Sequence, residues 1–266
     1  GRNFFKAVSL ASGKYCCLMG GDDIFEADGI KTMLDEFKND GSIDIYHVNF
    51  YMYFKDMTLK RKSKHKFLKN TAVFDNCLAS VKNAALDLGQ ISSIIFKKES
   101  WDSILGAQQF YDYSAPHLYP LWSILKKGGK LKYIRQEIVG YRCENSFFAK
   151  DDAYERFYIL TAQTRQIAEA VFGKNSKETK SIDKDIIKDH IFAAIVFFGK
   201  LSRPHSVKFS IKAFKLMFSL YWRQSIFYLE LYKIIPALLC PAFVLKFVRF
   251  VYKKSEKYFS HQTPPR

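Results

Sequence analysis

Apolar residues alternate between helical and strand-like spacing along the first half of the chain. Residues 2–12 carry them at helical spacing, and Lys14–Met19 is an apolar run of strand length that ends in Gly20-Gly21-Asp22-Asp23. Ala27–Lys38 is again helical in period, and Ile43–Phe54 is rich in the β-branched and aromatic residues that favour strands. This order of helix, strand, acidic turn, helix and strand predicts an α/β sheet with parallel strands.

The alternation continues before the chain becomes wholly helical. Further helices are predicted at Asp75–Leu86, Glu99–Leu105 and Leu118–Lys127, and further strands at Gln90–Lys97 and Leu131–Tyr141. The polar, basic stretch Lys55–Lys69 is predicted to be a loop or a hairpin tip. From Asp151 onward the spacing is helical over 151–172, 183–200, 206–233 and 242–258, with 173–182 as a linker. We therefore expect two domains, 1–150 and 151–266.

The net charge of +16 over 266 residues is concentrated in the helical region, where residues 181–266 carry 15 basic and 5 acidic side chains. Lys208, Lys212, Lys215 and Arg223 fall on one stripe of a helix whose other faces carry large aromatic residues, a pattern typical of interfacial membrane helices. The longest apolar run, Ile234–Leu245, is too short for a span of about 20 residues. We expect peripheral attachment to an anionic membrane surface; the alternative is a helical subdomain without membrane contact.

The sequence argues against a disulfide- or zinc-stabilised protein and against a nucleic-acid-binding protein. The five cysteines are odd in number and irregular in spacing, which argues against a disulfide framework or a zinc site and favours reduced thiols in the cytoplasm. The basic charge and the aromatic residues suggest a nucleic-acid-binding module as one alternative. The chain has no recognisable nucleic-acid-binding motif, however, so no nucleic-acid partner is expected.

Two adjacent carboxylates, Asp22 and Asp23, follow the first predicted strand. Open α/β sheets bind ligands at the carboxyl ends of their strands. A hard divalent cation at such a place takes one or two carboxylates together with phosphate oxygens of the substrate. The glycines before Asp22 would let a bulky ligand approach the backbone. A solvent-exposed turn with no ligand is the alternative interpretation of these four residues.

Several segments of the first half match, in order, the motifs of one enzyme family. Ala11–Tyr15 (ASGKY) and Leu18–Phe25 (LMGGDDIF) resemble the A-x-G-x-Y…D-D signature of family 2 glycosyltransferases with the GT-A fold, and most closely that of the abequosyltransferase-like branch. The later matches are Gly89–Lys97 followed by Trp101, Pro116-His117 ahead of Leu125–Gly128, and Tyr141-Arg142 ahead of Asn145-Ser146. The resemblance covers roughly residues 1–150, and it implies a partial GT-A sheet with flanking helices, followed by a mostly α-helical C-terminal region.

The resemblance implies a set of site residues. Asp22 corresponds to the ligand of a Mg²⁺ or Mn²⁺ ion and Asp23 to its support, while Gly20 and Gly21 lie against the substrate. Arg142 and Asn145 are expected to bind the substrate, and the planar cation of Arg142 would suit the donor's diphosphate. An ion pair of Arg142 with Glu144 or Glu137 is the alternative. Gly21 stands where relatives have an aspartate that contacts the ribose, which weakens the expected donor affinity. The family's first nucleotide-binding strand is expected to precede Gly1 and to be missing here.

The resemblance also places the general base. Counting back from the Leu-Lys-Lys-Gly end of the matched segment puts His117 where inverting relatives carry their catalytic aspartate. A neutral histidine is a competent base near physiological pH. A contact of His117 with the acceptor and a purely structural role are the alternatives, and Asp112 is the alternative carboxylate.

The function implied is metal-dependent, inverting transfer of a sugar from a nucleotide-diphosphate sugar to an acceptor hydroxyl. The acceptor is expected to be a saccharide or a lipid-linked saccharide in the synthesis of bacterial surface polysaccharide. The cytoplasmic face of the cell membrane is the expected location. A catalytically impaired glycosyltransferase-like scaffold is the alternative.

Overall fold

A computed structural model describes residues 1–54, 57–62, 70–143, 153–187 and 206–221 of the protein. Seven strands are β1 (Tyr15–Cys17), β2 (Ile24–Phe25), β3 (Ile45–Phe54), β4 (Leu59–Lys62), β5 (Ala72–Phe74), β6 (Ile94–Lys97) and β7 (Leu131–Arg142). Helices α1 to α5 are Arg2–Leu10, Gly29–Asn39, Cys77–Ala84, Lys98–Asp102 and Leu118–Lys126. Helices α6 to α9 are Ala153–Tyr158, Thr164–Phe172, Lys177–Asp185 and Ser206–Tyr221.

The strands form one mixed sheet. Its order is β1-β6-β3-β7-β2, with β4 beside β3 and β5 beside β7. The α/β class is confirmed, but the prediction of parallel strands is wrong in detail, because β3 and β7 make the only parallel pair among the described strands. The antiparallel strand β6 lies between β1 and β3, so these two strands run in the same direction. The carboxyl ends of β1, β3 and β7 therefore lie along one edge of the sheet.

The core of the sheet lies around its two longest strands. Buried residues from β3, β6 and β7 meet Met33 of α2 and Ile43 just ahead of β3. On α5, Leu121, Trp122 and Leu125 are fully buried, and the Trp122 indole N–H donates to the Ala85 carbonyl at 3.2 Å. These contacts hold the sheet edge, and the loops on it, against a rigid core.

The predicted linker 173–182 is wrong over most of its length. Helix α8 begins at Lys177, and the Ser176 hydroxyl caps it by accepting the Thr179 N–H at 3.0 Å. Asp183 is fully buried and lies 3.4 Å from the Arg165 guanidinium of α7. Burial of this ion pair and of Ile182 gives a polar sequence a packed helix, which composition alone did not indicate.

The chain divides into two compact units. The first comprises Gly1–Asp151 and Gln163–Asp183, and the second comprises Asp152–Ala162 and Lys184–Arg266. The sheet and helices α1 to α5 and α7 belong to the first unit. In the second, the Lys212 ammonium of α9 lies 5.3 Å from the centre of the Tyr154 ring on α6. Of the predicted helices, 242–258, the part of 183–200 beyond residue 187 and the part of 206–233 beyond residue 221 lie outside the described residues.

Candidate active site

The acidic residues form a tight turn at the carboxyl end of β1. The Asp23 N–H donates to the Gly20 carbonyl at 3.1 Å, which closes a four-residue turn with Asp22 at its third position. Immediately after the turn, Ile24 of β2 pairs with Gly140 near the end of β7. The turn is thereby held at the sheet edge where β1, β3 and β7 end.

Protein donors occupy both oxygens of the Asp23 carboxylate. The Ser92 hydroxyl donates to Oδ2 at 2.5 Å, and the Arg142 backbone N–H donates to Oδ1 at 2.9 Å. The same Ser92 oxygen accepts the Gly20 N–H at 2.9 Å, and Ser92 is fully buried. This arrangement, hereafter the Ser92–Asp23 clamp, ties the turn to the segment before β6 and to the end of β7.

Asp22 differs from its neighbour because its carboxylate makes no hydrogen bond or ion pair with any described residue. The side chain is half-buried at the tip of the turn. No cluster of three or more His, Cys, Asp or Glu side chains suited to a metal ion occurs among the described residues. A single free carboxylate still fits a Mg²⁺-type ion, which keeps several waters and takes its other ligands from substrate phosphates.

The two glycines of the turn differ in the space available for a side chain. A Cβ at Gly20 would lie 2.8 Å from Asp23 Oδ2 and 3.3 Å from Ser92 Oγ, so Gly20 is required by the Ser92–Asp23 clamp. A Cβ at Gly21 would meet nothing within 4 Å. Gly21 is thus the open side of the turn, and the position has space for the side chain that relatives carry.

Arg142 is brought to the turn by its backbone, since it ends β7 and its N–H binds Asp23. Its parallel partner across the sheet is Tyr53 of β3. The backbone of Arg142 therefore lies beside the acidic turn. Asn145 and Ser146 lie outside the described residues.

His117 lies in the interior, whereas a general base needs access to the acceptor. The side chain is 2% exposed, and the Phe4 ring packs edge-on against it at 5.8 Å between centroids. Its Nε2 lies 3.1 Å from the Leu88 carbonyl oxygen; since a carbonyl only accepts, Nε2 carries the proton and Nδ1 does not. Nδ1 has no partner among the described residues. Burial lowers the pKa of His117 to about 4, so the ring is neutral.

Asp112, the alternative carboxylate, lies on the surface. Its side chain is 83% exposed and pairs with the Arg2 guanidinium at 3.5 Å. The structure therefore does not bring Asp112 and His117 into one environment, because one is exposed and the other is buried. Neither residue contacts Asp22 or Asp23 through a hydrogen bond or ion pair between described residues.

The sequence analysis did not identify a hydrogen-bonded group formed by Glu26, Tyr53 and Lys60. Glu26, three positions after Asp23, accepts the Tyr53 hydroxyl at 2.9 Å and the Lys60 ammonium at 2.6 Å. The hydrogen bond to Glu26 raises the pKa of Lys60. Lys62 likewise lies 3.2 Å from Glu137. Strands β3 and β4 form an antiparallel hairpin, which agrees with the hairpin alternative predicted for Lys55–Lys69, and Lys60 and Lys62 of β4 are paired with carboxylates.

The described cysteines are free thiols. Cys16 is buried, whereas Cys17, Cys77 and Cys143 are half-buried, and none of the four forms a disulfide. Burial raises the pKa of Cys17 to about 12 and that of Cys77 to about 11, which keeps both thiols protonated. As protonated thiols, Cys17 and Cys77 are poor nucleophiles. Cys240 lies outside the described residues.

Comparison with known proteins bears on the family. The chain is 28% identical over 198 residues to the abequosyltransferase RfbV of Salmonella typhimurium, an alignment that covers 71% of this chain and 59% of the relative. In structure it is similar to S. aureus TarS 1–349, with a TM-score of 0.51, and to the same TarS segment in complex with UDP, with a TM-score of 0.53. Both TarS comparisons have 12% identity and cover 92% of this chain and 69% of that one.

The chain therefore resembles the family 2 glycosyltransferases in sequence and in fold. These comparisons confirm the resemblance to glycosyltransferases that the ordered motifs indicated, and they confirm the GT-A-like fold. No family model matches the chain. The chain spans about 59% of the length of the curated relative it matches.

Proposed function

We propose that the protein transfers a sugar from a nucleotide-diphosphate sugar to an acceptor hydroxyl in the synthesis of bacterial surface polysaccharide. The observation that carries the proposal is the acidic turn: a free Asp22 carboxylate on a clamped turn, at the strand ends of a GT-A-like sheet. The abequosyltransferase relative supports the reaction class, and the UDP complex of TarS supports a nucleotide-linked donor.

The residues of the turn suit the donor's diphosphate. Asp22 would hold a Mg²⁺ or Mn²⁺ ion, which supplies Lewis-acid neutralisation of the charge that develops on the leaving diphosphate. Gly21 leaves room for the donor beside Asp22. The Arg142 backbone lies next to the same turn, and its guanidinium would be well matched to phosphate oxygens of the donor.

The proposal is tested with the complete natural protein and a panel of nucleotide-diphosphate sugars in the presence of Mn²⁺ or Mg²⁺. We expect one donor to be hydrolysed slowly without acceptor and consumed faster with a bacterial lipid-linked saccharide, with inversion at the anomeric carbon seen by NMR. If no donor is bound, hydrolysed or transferred, the proposal of an active enzyme is contradicted. The remaining candidate is then the catalytically impaired, glycosyltransferase-like scaffold. The burial of His117 is the observation that favours this second candidate.

The membrane surface is proposed as the place of action because of α9. Ala213, Met217 and Tyr221 form its buried face, whereas Ile211, Phe214 and Phe218 remain 52%, 45% and 60% exposed. Lys212 and Lys215 border this apolar stripe, as basic residues do on helices that lie in the lipid headgroup region. No helix in the described part of the chain is long and apolar enough to span a bilayer. Arg223 and the run Ile234–Leu245 lie outside the described residues.

Replacing Phe214 and Phe218 together by serine is expected to weaken binding to vesicles that contain an anionic phospholipid by about 10-fold or more, because two half-exposed rings no longer enter the lipid. Co-sedimentation measures the binding. The matched control is Leu34→Ser, which removes a 51% exposed apolar side chain from α2. Equal binding by the double variant, or equal binding to uncharged vesicles, would contradict attachment through α9.

A further inference from the structure

Ser92 is a buried hydroxyl that links two elements of the site. It donates to Asp23 Oδ2 and accepts the Gly20 N–H, so its single oxygen bonds both ends of the acidic turn. The turn otherwise has one internal hydrogen bond, from the Asp23 N–H to the Gly20 carbonyl. The backbone geometry at Asp22, between these two anchors, depends on Ser92.

The second Asp23 oxygen extends the link to β7. Because the Arg142 N–H binds Oδ1, a movement of the Asp23 side chain also removes the partner of this N–H at the end of β7. A hydrogen bond to a charged acceptor is stronger than one between neutral groups. Asp23 therefore acts as a fixed bridge, with Ser92 on one side and Arg142 on the other.

The segment that carries Ser92 is itself anchored. Ser92 lies in a short 3₁₀ turn, Ile91–Ser93, which follows another at Asp87–Gly89. The Leu88 carbonyl in that turn accepts from His117 Nε2, and the Ser93 hydroxyl donates to the Gln90 carbonyl at 2.7 Å. The position of the Ser92 oxygen is thus set by contacts made on its own side of the Ser92–Asp23 clamp.

We propose that Ser92 is a positioning residue that sets the Asp22 carboxylate for cation binding by fixing Gly20 and Asp23. The inference rests on the proposed function in one respect, which is that the bound cation takes part in sugar transfer. The hydrogen bonds themselves are a property of the fold, so their effect on the turn is measurable without any donor.

The test compares Ser92→Ala with Ser93→Ala in the complete natural protein. Both remove one fully buried hydroxyl from the same 3₁₀ turn, but only Ser92 contacts the acidic turn. In Ser92→Ala, the amides of Gly20 and Arg142 are expected to exchange with deuterium roughly 10- to 100-fold faster, as for the loss of a hydrogen bond to a charged group. In the same variant the dissociation constant for Mn²⁺ alone, followed by electron paramagnetic resonance, is expected to rise by about 10-fold.

A second pair of variants guards against a general loss of folding. Gly20→Ala places a methyl group 2.8 Å from Asp23 Oδ2, whereas Gly21→Ala meets nothing within 4 Å. We expect Gly20→Ala to weaken Mn²⁺ binding as Ser92→Ala does, and Gly21→Ala and Ser93→Ala to leave it unchanged.

The outcomes separate the two proposals. Unchanged exchange at Gly20 and Arg142 in Ser92→Ala overturns the positioning role, whatever the activity. Faster exchange with unchanged Mn²⁺ affinity also overturns it, because the clamp then has no effect on the ion. Faster exchange and weaker Mn²⁺ binding in a protein that transfers no sugar support the positioning role and reject the proposed function alone.

Discussion

Asp22→Asn is expected to lower metal-dependent sugar transfer by roughly 10²–10⁴-fold, since a bound cation contributes several kcal/mol to a charged leaving group and each 1.4 kcal/mol is tenfold in rate. The carboxylate is half-buried and bonds to no described residue, so the variant should fold as the wild type does. Initial rates at saturating donor, with Mn²⁺ varied from zero to excess, measure the effect. Thermal unfolding of the same sample checks the fold.

The matched control is Asp28→Asn. Asp28 is an exposed carboxylate a few residues further along, ahead of α2, and its side chain does not cap that helix. This control keeps the change in net charge but not the change at the turn, so transfer should remain at the wild-type level. Full activity of Asp22→Asn, or wild-type activity that survives excess EDTA, would show that Asp22 holds no essential ion.

Local sequence pattern predicted the elements that position the turn. The predicted strand Lys14–Met19 contains β1, and the predicted helix Ala27–Lys38 largely coincides with α2, Gly29–Asn39. The spacing of apolar residues encodes such elements directly, because one face of each is buried. The ordered motifs then placed Asp22 at the end of β1, where the structure has it.

Long-range pairing was outside the reach of that pattern. Insertion of β6 between β1 and β3 joins segments far apart in sequence, and no local spacing specifies it. The same limit applies to the Ser92–Asp23 clamp: Ser92 reaches Asp23 across 69 positions and Arg142 does so across 119. A serine in an apolar segment has no feature that distinguishes a buried hydrogen bond to a carboxylate from ordinary packing.

His117 shows a different limit, that a motif position does not specify solvent exposure. Its place before α5 follows the family pattern, but the ring packs against Phe4 and bonds to Leu88. Because this burial separates the ring from solvent, we propose a structural role for His117 ahead of direct proton transfer. The lowered pKa then has a consequence for stability.

The free energy of unfolding is expected to decrease as the pH is lowered, because of the titration of His117. Its pKa is about 4 in the folded protein against 6.5 for the free side chain, so below pH 6.5 the unfolded chain binds a proton that the folded chain does not. Stability from this group is complete above pH 6.5 and is lost as the pH falls towards 4, by about 3 kcal/mol in all. Denaturant unfolding at intervals across this range measures the loss.

Two variants decide between a structural role and a general base. His117→Ala removes a buried ring and is expected to cost roughly 3 kcal/mol of stability. In His117→Gln, the amide takes the place of Nε2–H toward the Leu88 carbonyl but has no titratable nitrogen, so the variant should retain most of its stability and lose the pH dependence between 6.5 and 4. Turnover per folded molecule should then stay near the wild-type value.

A stable His117→Gln protein whose turnover is lower by roughly 10²–10⁴-fold would instead identify His117 as the base. In that case the acid limb of the wild-type rate profile should lie near pH 4, where the buried ring titrates, and it should be absent from the variant.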